Sequence, residues 1–132
     1  MAVNDTNEQL LGMLRHSITE LVRREGPDLT ARQLATFLIC YLETEAQTVR
    51  GLAAKLNVSK PAVTRALDRL VQFDLVRRKD DPLDRRSILV QRTQTGLGFL
   101  RELRSIVKEA AQQARQSAAP LATDRTQRVA HS

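Results

Sequence analysis

The stretch Thr48–Thr93, TVRGLAAKLNVSKPAVTRALDRLVQFDLVRRKDDPLDRRSILVQRT, admits few folds. Thr48 is placed to cap a short helix with Leu52, Ala53 and Leu56 inward, and Asn57 suits the left-handed position that ends it. Ser59 caps a second helix, with Pro61 in its first turn, where a missing N–H costs nothing. Val63, Ala66, Leu67 and Leu70 recur at three- and four-residue spacing and predict the side that packs on the preceding helix. The opposite side carries Lys60, Thr64, Arg65, Asp68 and Arg69. Leu75–Lys79 and Ser87–Arg92 are short segments predicted as strands. Between them, Asp80–Arg86 reads as an exposed polar loop in which Pro82 prevents continuous pairing. This order describes a helix-turn-helix followed by a β-wing, a layout that offers one helix to a groove of duplex DNA.

Charge is concentrated on the same segment. From Val49 to Arg92 there are eleven basic and five acidic residues, an excess equal to the formal net charge of the whole chain, +6. The other segments balance. An excess confined to one module is expected of a surface that neutralises phosphates and releases their counterions; the alternative is a solvated basic face with no ligand.

A chain of 132 residues is long enough for one domain with a dimerisation appendage. Its residues are 42% hydrophobic but only 3% aromatic, so the core must be built from Leu, Val, Ile and Ala. A single cysteine excludes an intrachain disulfide and fits a reducing compartment. No apolar run approaches the roughly 20 residues that span a bilayer. The N-terminus lacks the basic-then-apolar order of a secretory signal, so a cytoplasmic protein with no membrane association is expected.

Amphipathic helices are predicted on both flanks. Asn7–Arg24 places Leu10, Leu14, Ile18 and Leu21 on one stripe, with Leu11 and Val22 beside it, and Gly26-Pro27 stops it. Thr30 and Gln33 have capping-box spacing for a helix that buries Leu34, Phe37, Leu38, Tyr41 and Leu42 and ends near Glu45. Thr93 caps a long last helix, with Leu97, Leu100, Leu103, Val107, Ala110 and Ala114 on its apolar side and Pro120 ending it. Stripes on the end helices must be covered, and a two-fold homodimer is the simplest cover; packing within one monomer is the alternative. The fold class expected is therefore mainly α with a small β-wing: residues 1–28 and 94–120 are dimerisation helices, 29–93 the winged helix-turn-helix, and 121–132 a polar tail.

From about Leu29 to Leu103 the chain resembles the MarR (multiple antibiotic resistance regulator) family of winged-helix transcription factors. Asp81-Pro82-Leu83-Asp84-Arg85-Arg86-Ser87 followed by Thr93-Gln94-Thr95-Gly96 looks like the family's D-x-x-D-R-R and L-T-x-x-G. Leu52-Ala53-Ala54-Lys55-Leu56, Ser59-Lys60-Pro61-Ala62-Val63-Thr64 and Leu67-Asp68-Arg69-Leu70 also fit in order and spacing. Arg92 departs from the pattern, standing where a Leu usually precedes the Thr; this predicts either looser packing at the wing's base or an added phosphate contact. The C-terminal part is expected to be too short for the additional final helix that many members use in dimerisation.

Site expectations follow. Ser59, Lys60, Pro61, Thr64 and Arg65 lead the recognition helix into the major groove. Arg65 is the first candidate for a base contact, through paired hydrogen bonds to guanine, the alternative being a phosphate contact alone. Thr64 is assigned a thymine methyl or a phosphate; Ser59, Lys60, Arg69, Thr48 and Arg50 are assigned the backbone. Arg85 is the wing-tip candidate for the minor groove, which attracts Arg most where A·T tracts narrow it. Asp84 and Arg86 are expected to hold the wing in shape. The resemblance implies that Asp68 pairs with a wing arginine, here Arg86, the alternative being a solvated pair of small value. Arg77, Arg78 and Lys79 are expected to be solvated or to touch phosphate.

Cys40 is expected to be an inert, buried thiol, and His16 a surface or interface residue. No metal-ligand spacing, phosphate loop or nucleophile triad suggests a cofactor or an enzyme. The resemblance implies a dimeric regulator, most often a repressor, on a pseudo-palindromic operator. Many relatives release DNA when a small molecule binds, and His16, Tyr41 and Phe37 are candidates for lining such a pocket, core packing being the alternative for Phe37. Two other classes stay open: a winged-helix protein-interaction module, and a non-specific nucleoid-type DNA binder.

Overall fold

The computed structural model describes the backbone of residues 2–131 and the side chains of residues 6–116. It divides into two units, Pro27–Arg101 and the pair Met1–Gly26 with Glu102–Ser132.

Within Pro27–Arg101, helix α2 spans Ala31–Leu42. Thr30 Oγ1 accepts from the Gln33 N–H at 3.2 Å and the Gln33 side chain accepts from the Thr30 N–H at 3.0 Å, a complete capping box. Phe37, Tyr41, Cys40 and Thr36 are buried. Leu42 is 59% exposed, contrary to its predicted place in the core, because the helix ends at that residue. The early end also corrects the boundary expected near Glu45; Glu43 is already extended.

Strand β1, Gln47–Thr48, was too short to show a pattern. It pairs antiparallel with a later strand, so the sheet has three strands. Thr48 then caps α3, Val49–Leu56, accepting from the Gly51 N–H at 2.9 Å, and Asn57 closes α3 at φ 54°, the left-handed conformation that asparagine tolerates. Helix α4, Lys60–Gln72, starts at Ser59, whose hydroxyl accepts from the Ala62 N–H. It buries Ala62, Val63, Ala66, Leu67 and Leu70, packing on α2 and α3. Asp74 turns the chain in a left-handed conformation (φ 57°).

Strands β2, Val76–Asp81, and β3, Asp84–Arg92, form the wing, in the order β1-β3-β2. The strands are longer, and the connection shorter, than the expected loop over 80–86. Pro82 sits in the turn between Asp81 and Asp84, where no ladder N–H is needed, so it does not interrupt pairing. The register is irregular there: Asp80 faces Ile88 and Asp81 faces Asp84, leaving Arg85, Arg86 and Ser87 with no opposite residue on β2.

Helix α5 spans Gln94–His131. Its start belongs to the winged unit, where Phe99 packs edge-on against Phe37 at 5.0 Å between ring centroids and Leu100 is buried. The predicted end at Pro120 is not seen, since the helical backbone continues past it. A proline removes one ladder bond and bends a helix without obliging it to stop.

In the other unit, α1 spans Ala2–Arg23, longer at its start than predicted. Ser17 is buried, and Arg24 pairs with Glu102 of α5. Leu10, Leu11, Leu14, Ile18 and Val22 are between 49% and 70% exposed, so these members of the predicted stripe have little cover among the described residues. Among the described residues, no helix is long and apolar enough to cross a membrane.

Candidate nucleic-acid interface

Burial of one side of α4 determines what the other side presents. With Val63, Ala66, Leu67 and Leu70 inward, Lys60, Pro61, Thr64, Arg65, Asp68 and Arg69 are all exposed. The Ser59 hydroxyl is engaged as the cap, and that end of the helix carries the positive end of its dipole.

The cations on this surface divide into held and free. Arg69 lies over the Phe73 ring, 4.6 Å from its centroid, and donates to Gln72 Oε1 at 3.0 Å. Lys55 is engaged by Glu43 and Gln47 at 2.7 and 2.8 Å. By contrast, Lys60, Arg65, Arg85 and Arg86 have no side-chain partner among the described residues, so their donors are available to an outside acceptor.

Asp68 does not pair with Arg86. Its partner is Arg78 of β2, whose Nη2 donates both to Asp68 Oδ1 and to the Thr64 carbonyl, the latter at 3.1 Å. Strand alternation explains the exchange. Arg78 is two residues after Val76, which is fully buried, and so lies on the side of the strand that faces α4. Arg86 is in the irregular stretch near the wing tip. One guanidinium thus ties α4 to the wing, and Arg78 is not the merely solvated residue expected. Arg77 is 3.8 Å from Asp74.

Asp81 and Asp84 hold the wing tip. Asp81 Oδ1 accepts from the Leu83 N–H at 2.9 Å. Asp84 accepts from the Arg86 N–H at 3.0 Å and from the Ser87 hydroxyl at 3.1 Å. Both carboxylates are engaged by backbone donors, which lessens their opposition to a polyanion.

Arg92 neither loosens the wing's base nor stands ready for phosphate. Its Nε donates to the Cys40 carbonyl at 3.0 Å and its Nη2 to the Glu43 carbonyl at 2.7 Å, and it lies 5.7 Å from the Tyr41 ring centroid. It satisfies carbonyls that the end of α2 leaves open.

Tyr41 is packed inside the winged unit. It is 4% exposed; its hydroxyl donates to the Leu75 carbonyl and accepts from the Thr93 N–H at 3.0 Å. His16 lies in the other unit, half-buried, with Nε2 buried and without a hydrogen-bond partner among the described residues. The Cys40 thiol is pushed up from 9.0 to about 12 by burial, against the opposing pull of the Arg92 and Lys55 charges. Cations absent from its sequence neighbourhood are close in space, yet burial outweighs them. Among the described residues, no group of three or more His, Cys, Asp or Glu is placed to hold a metal.

A helix-turn-helix whose second helix is clamped to a two-stranded wing, with free cations on both, defines the winged helix class of nucleic-acid-binding folds. A family model described as the MarR family matches residues 29–88. No curated protein matches significantly in sequence. Solved structures do match. Apo wild-type MarR from E. coli is 25% identical, with 95% of this chain and 89% of that one covered and a TM-score of 0.62. A MepR–DNA complex from S. aureus is 22% identical, with 96% and 94% covered and a TM-score of 0.61. A MepR mutant from a multidrug-resistant S. aureus clinical isolate reaches a TM-score of 0.71 at 19% identity, with 99% and 96% covered.

Proposed function

We propose that this chain is a sequence-specific DNA-binding transcriptional regulator that acts in the cytoplasm as a homodimer, most simply as a repressor. The observation that carries the reading is the division of cations on α4 and the wing. Arg69, Arg78 and Arg92 are held by the fold, whereas Lys60 and Arg65 on the helix and Arg85 and Arg86 on the wing are free among the described residues. In this reading α4 enters the major groove, with Arg65 on a base edge and Lys60, Ser59 and Thr64 on or near the phosphates. Arg85 enters the minor groove. Arg78 keeps Asp68 from repelling the backbone and fixes the angle between helix and wing. The wing carries one more strand contact than a free hairpin, since β1 pairs along β3 and so braces its base.

A second copy is supported by the uncovered α1 stripe, Leu10, Leu11, Leu14, Ile18 and Val22. Two recognition helices then meet half-sites about one helical turn apart, and the operator is pseudo-palindromic. The MepR–DNA complex, of the same fold, supports duplex DNA as the partner. Release by a small-molecule effector belongs to this reading without assigned residues, because Tyr41 is engaged in the core. The reading includes no catalytic step.

Selection of genomic fragments by the purified protein tests it. The expected outcome is a small set of fragments sharing an inverted repeat with one half-site per helical turn. Recovery of fragments without a common sequence would refute it in favour of a non-specific binder, and recovery of none in favour of a protein-interaction module.

A further inference from the structure

We propose that Leu83 is a specificity-determining contact of the wing: an apolar plug that packs against the deoxyribose walls of the minor groove and holds the groove open where Arg85 enters. The proposal rests on the DNA-binding reading above and adds a residue and a kind of sequence preference that it does not contain.

Leu83 is 94% exposed, against 70% for the next most exposed large hydrophobic residue among the described residues. It adds almost nothing to the core. Turn chemistry does not require it either, since Gly, Asn, Asp and Ser are the residues a hairpin turn favours. A lone exposed leucine elsewhere would need no explanation. This one occupies the apex of the wing, and its backbone is fixed from both sides. Pro82 sets the backbone before it, and Asp81 takes its N–H at 2.9 Å. Asp84 then holds the Arg86 N–H and the Ser87 hydroxyl. The side chain is therefore presented from a set position, and little remains to be ordered on binding.

Its neighbours complete the argument. Arg85 and Arg86 lie in the stretch of β3 that faces no residue of β2, and neither has a side-chain partner among the described residues. Free guanidinium groups beside a rigid apolar apex match the two chemistries of the minor groove, acidic at its rims and C–H-lined along its walls. Proteins that read this groove pair the same two residue types, a cation for the potential and an apolar wedge for the walls. The two act on groove width in opposite directions. Arginine gains most where a stiff A-tract narrows the groove, whereas leucine needs room. A flexible pyrimidine–purine step, TA or CA/TG, reconciles them because it widens at low cost. The wing should therefore favour such steps and disfavour uninterrupted A-tracts.

The test uses the full chain and a duplex recovered by genomic-fragment selection, with affinity read by fluorescence anisotropy over a range of salt. Leu83→Asn should bind about five- to tenfold more weakly, as expected when roughly half a leucine side chain loses its cover. The slope of log affinity against log salt should not change, because no phosphate contact is lost. Leu83→Met should stay within about twofold of the parent, since it keeps the apolar volume. Arg85→Ala, in contrast, should lower the slope by about one. A repeated selection with Leu83→Asn should lose the preference for flexible steps at the wing position and keep the half-site read by α4. At 94% exposure the substitution should leave the thermal midpoint unchanged, which separates binding from folding. Parent-like affinity of Leu83→Asn, or an unchanged preference at the wing position, would overturn the proposal while leaving the DNA-binding reading intact. A parent protein that prefers no duplex would remove both.

Discussion

Gly96 is the position at which a single methyl group should do the most damage. A Cβ there would fall inside the van der Waals envelope of the Tyr41 hydroxyl and of the Leu75 carbonyl oxygen. Neither can step aside freely: Leu75 O is backbone, and the Tyr41 hydroxyl bridges Leu75 O and the Thr93 N–H deep in the winged unit. Overpacking a close-packed site costs about 1–3 kcal/mol. Displacing the hydroxyl forfeits two hydrogen bonds of about 1 kcal/mol each, more if their partners stay buried and unpaired. Gly96→Ala should therefore destabilise by about 3–5 kcal/mol, at the severe end for one substitution. Tyr41→Phe removes the same two bonds without the clash and should cost about 2–4 kcal/mol. Because the hydroxyl's bonds can be lost only once, the double variant should be about 1–3 kcal/mol more stable than the sum of the single effects implies. Urea unfolding by circular dichroism at fixed protein concentration measures all three. At a slope of about 2 kcal/mol per molar, a loss of 3 kcal/mol moves the midpoint by roughly 1.5 M. A Gly96→Ala midpoint within about 0.5 M of the parent, or strict additivity in the cycle, would refute the reasoning.

Three further outcomes are expected. Asp68→Ala should weaken operator binding even though it removes a negative charge, and Arg78→Ala should weaken it similarly, because both undo the tie between α4 and β2; tighter binding by Asp68→Ala in an anisotropy titration would show that net charge alone governs. Arg65→Ala should lose about tenfold in affinity and relax preference at one base pair per half-site, and an unchanged preference profile in a binding selection would reject base reading by this residue. The Cys40 thiol, raised from 9.0 to about 12, stays protonated in the folded state at pH values where an unfolded chain ionises. Its contribution to stability is thus present below pH 9 and lost as pH rises through 9 towards 12. Cys40 should accordingly resist a thiol-titrating disulfide reagent at pH 8 until denaturant is added; rapid labelling of the native protein would contradict this.

Local chemistry made most of the winged unit legible from the sequence. The caps at Thr30, Thr48 and Ser59, the left-handed Asn57 and the apolar side of α4 depend on near neighbours, and a linear reading sees those. What escaped depends on contacts distant along the chain. Gln47–Thr48 is a strand only because β3 lies beside it. Arg92 became a cap for α2 because the fold brings residues 40 and 43 to its guanidinium. Resemblance points Asp68 to Arg86, whereas the alternation Val76-Arg77-Arg78 places Arg78 on the buried side of β2. Nothing near Tyr41 in sequence reveals that Leu75 and Thr93 engage its hydroxyl. In the sequence Leu83 is only part of a motif, since exposure at a turn depends on how the turn folds.

The most direct measurement of the central claim is affinity for a selected duplex against a shuffled duplex of the same composition, followed across salt concentration. The account predicts a steep fall of both affinities with salt and a preference of about a thousandfold or more for the selected site. Equal affinity for the two duplexes at every salt concentration would contradict it.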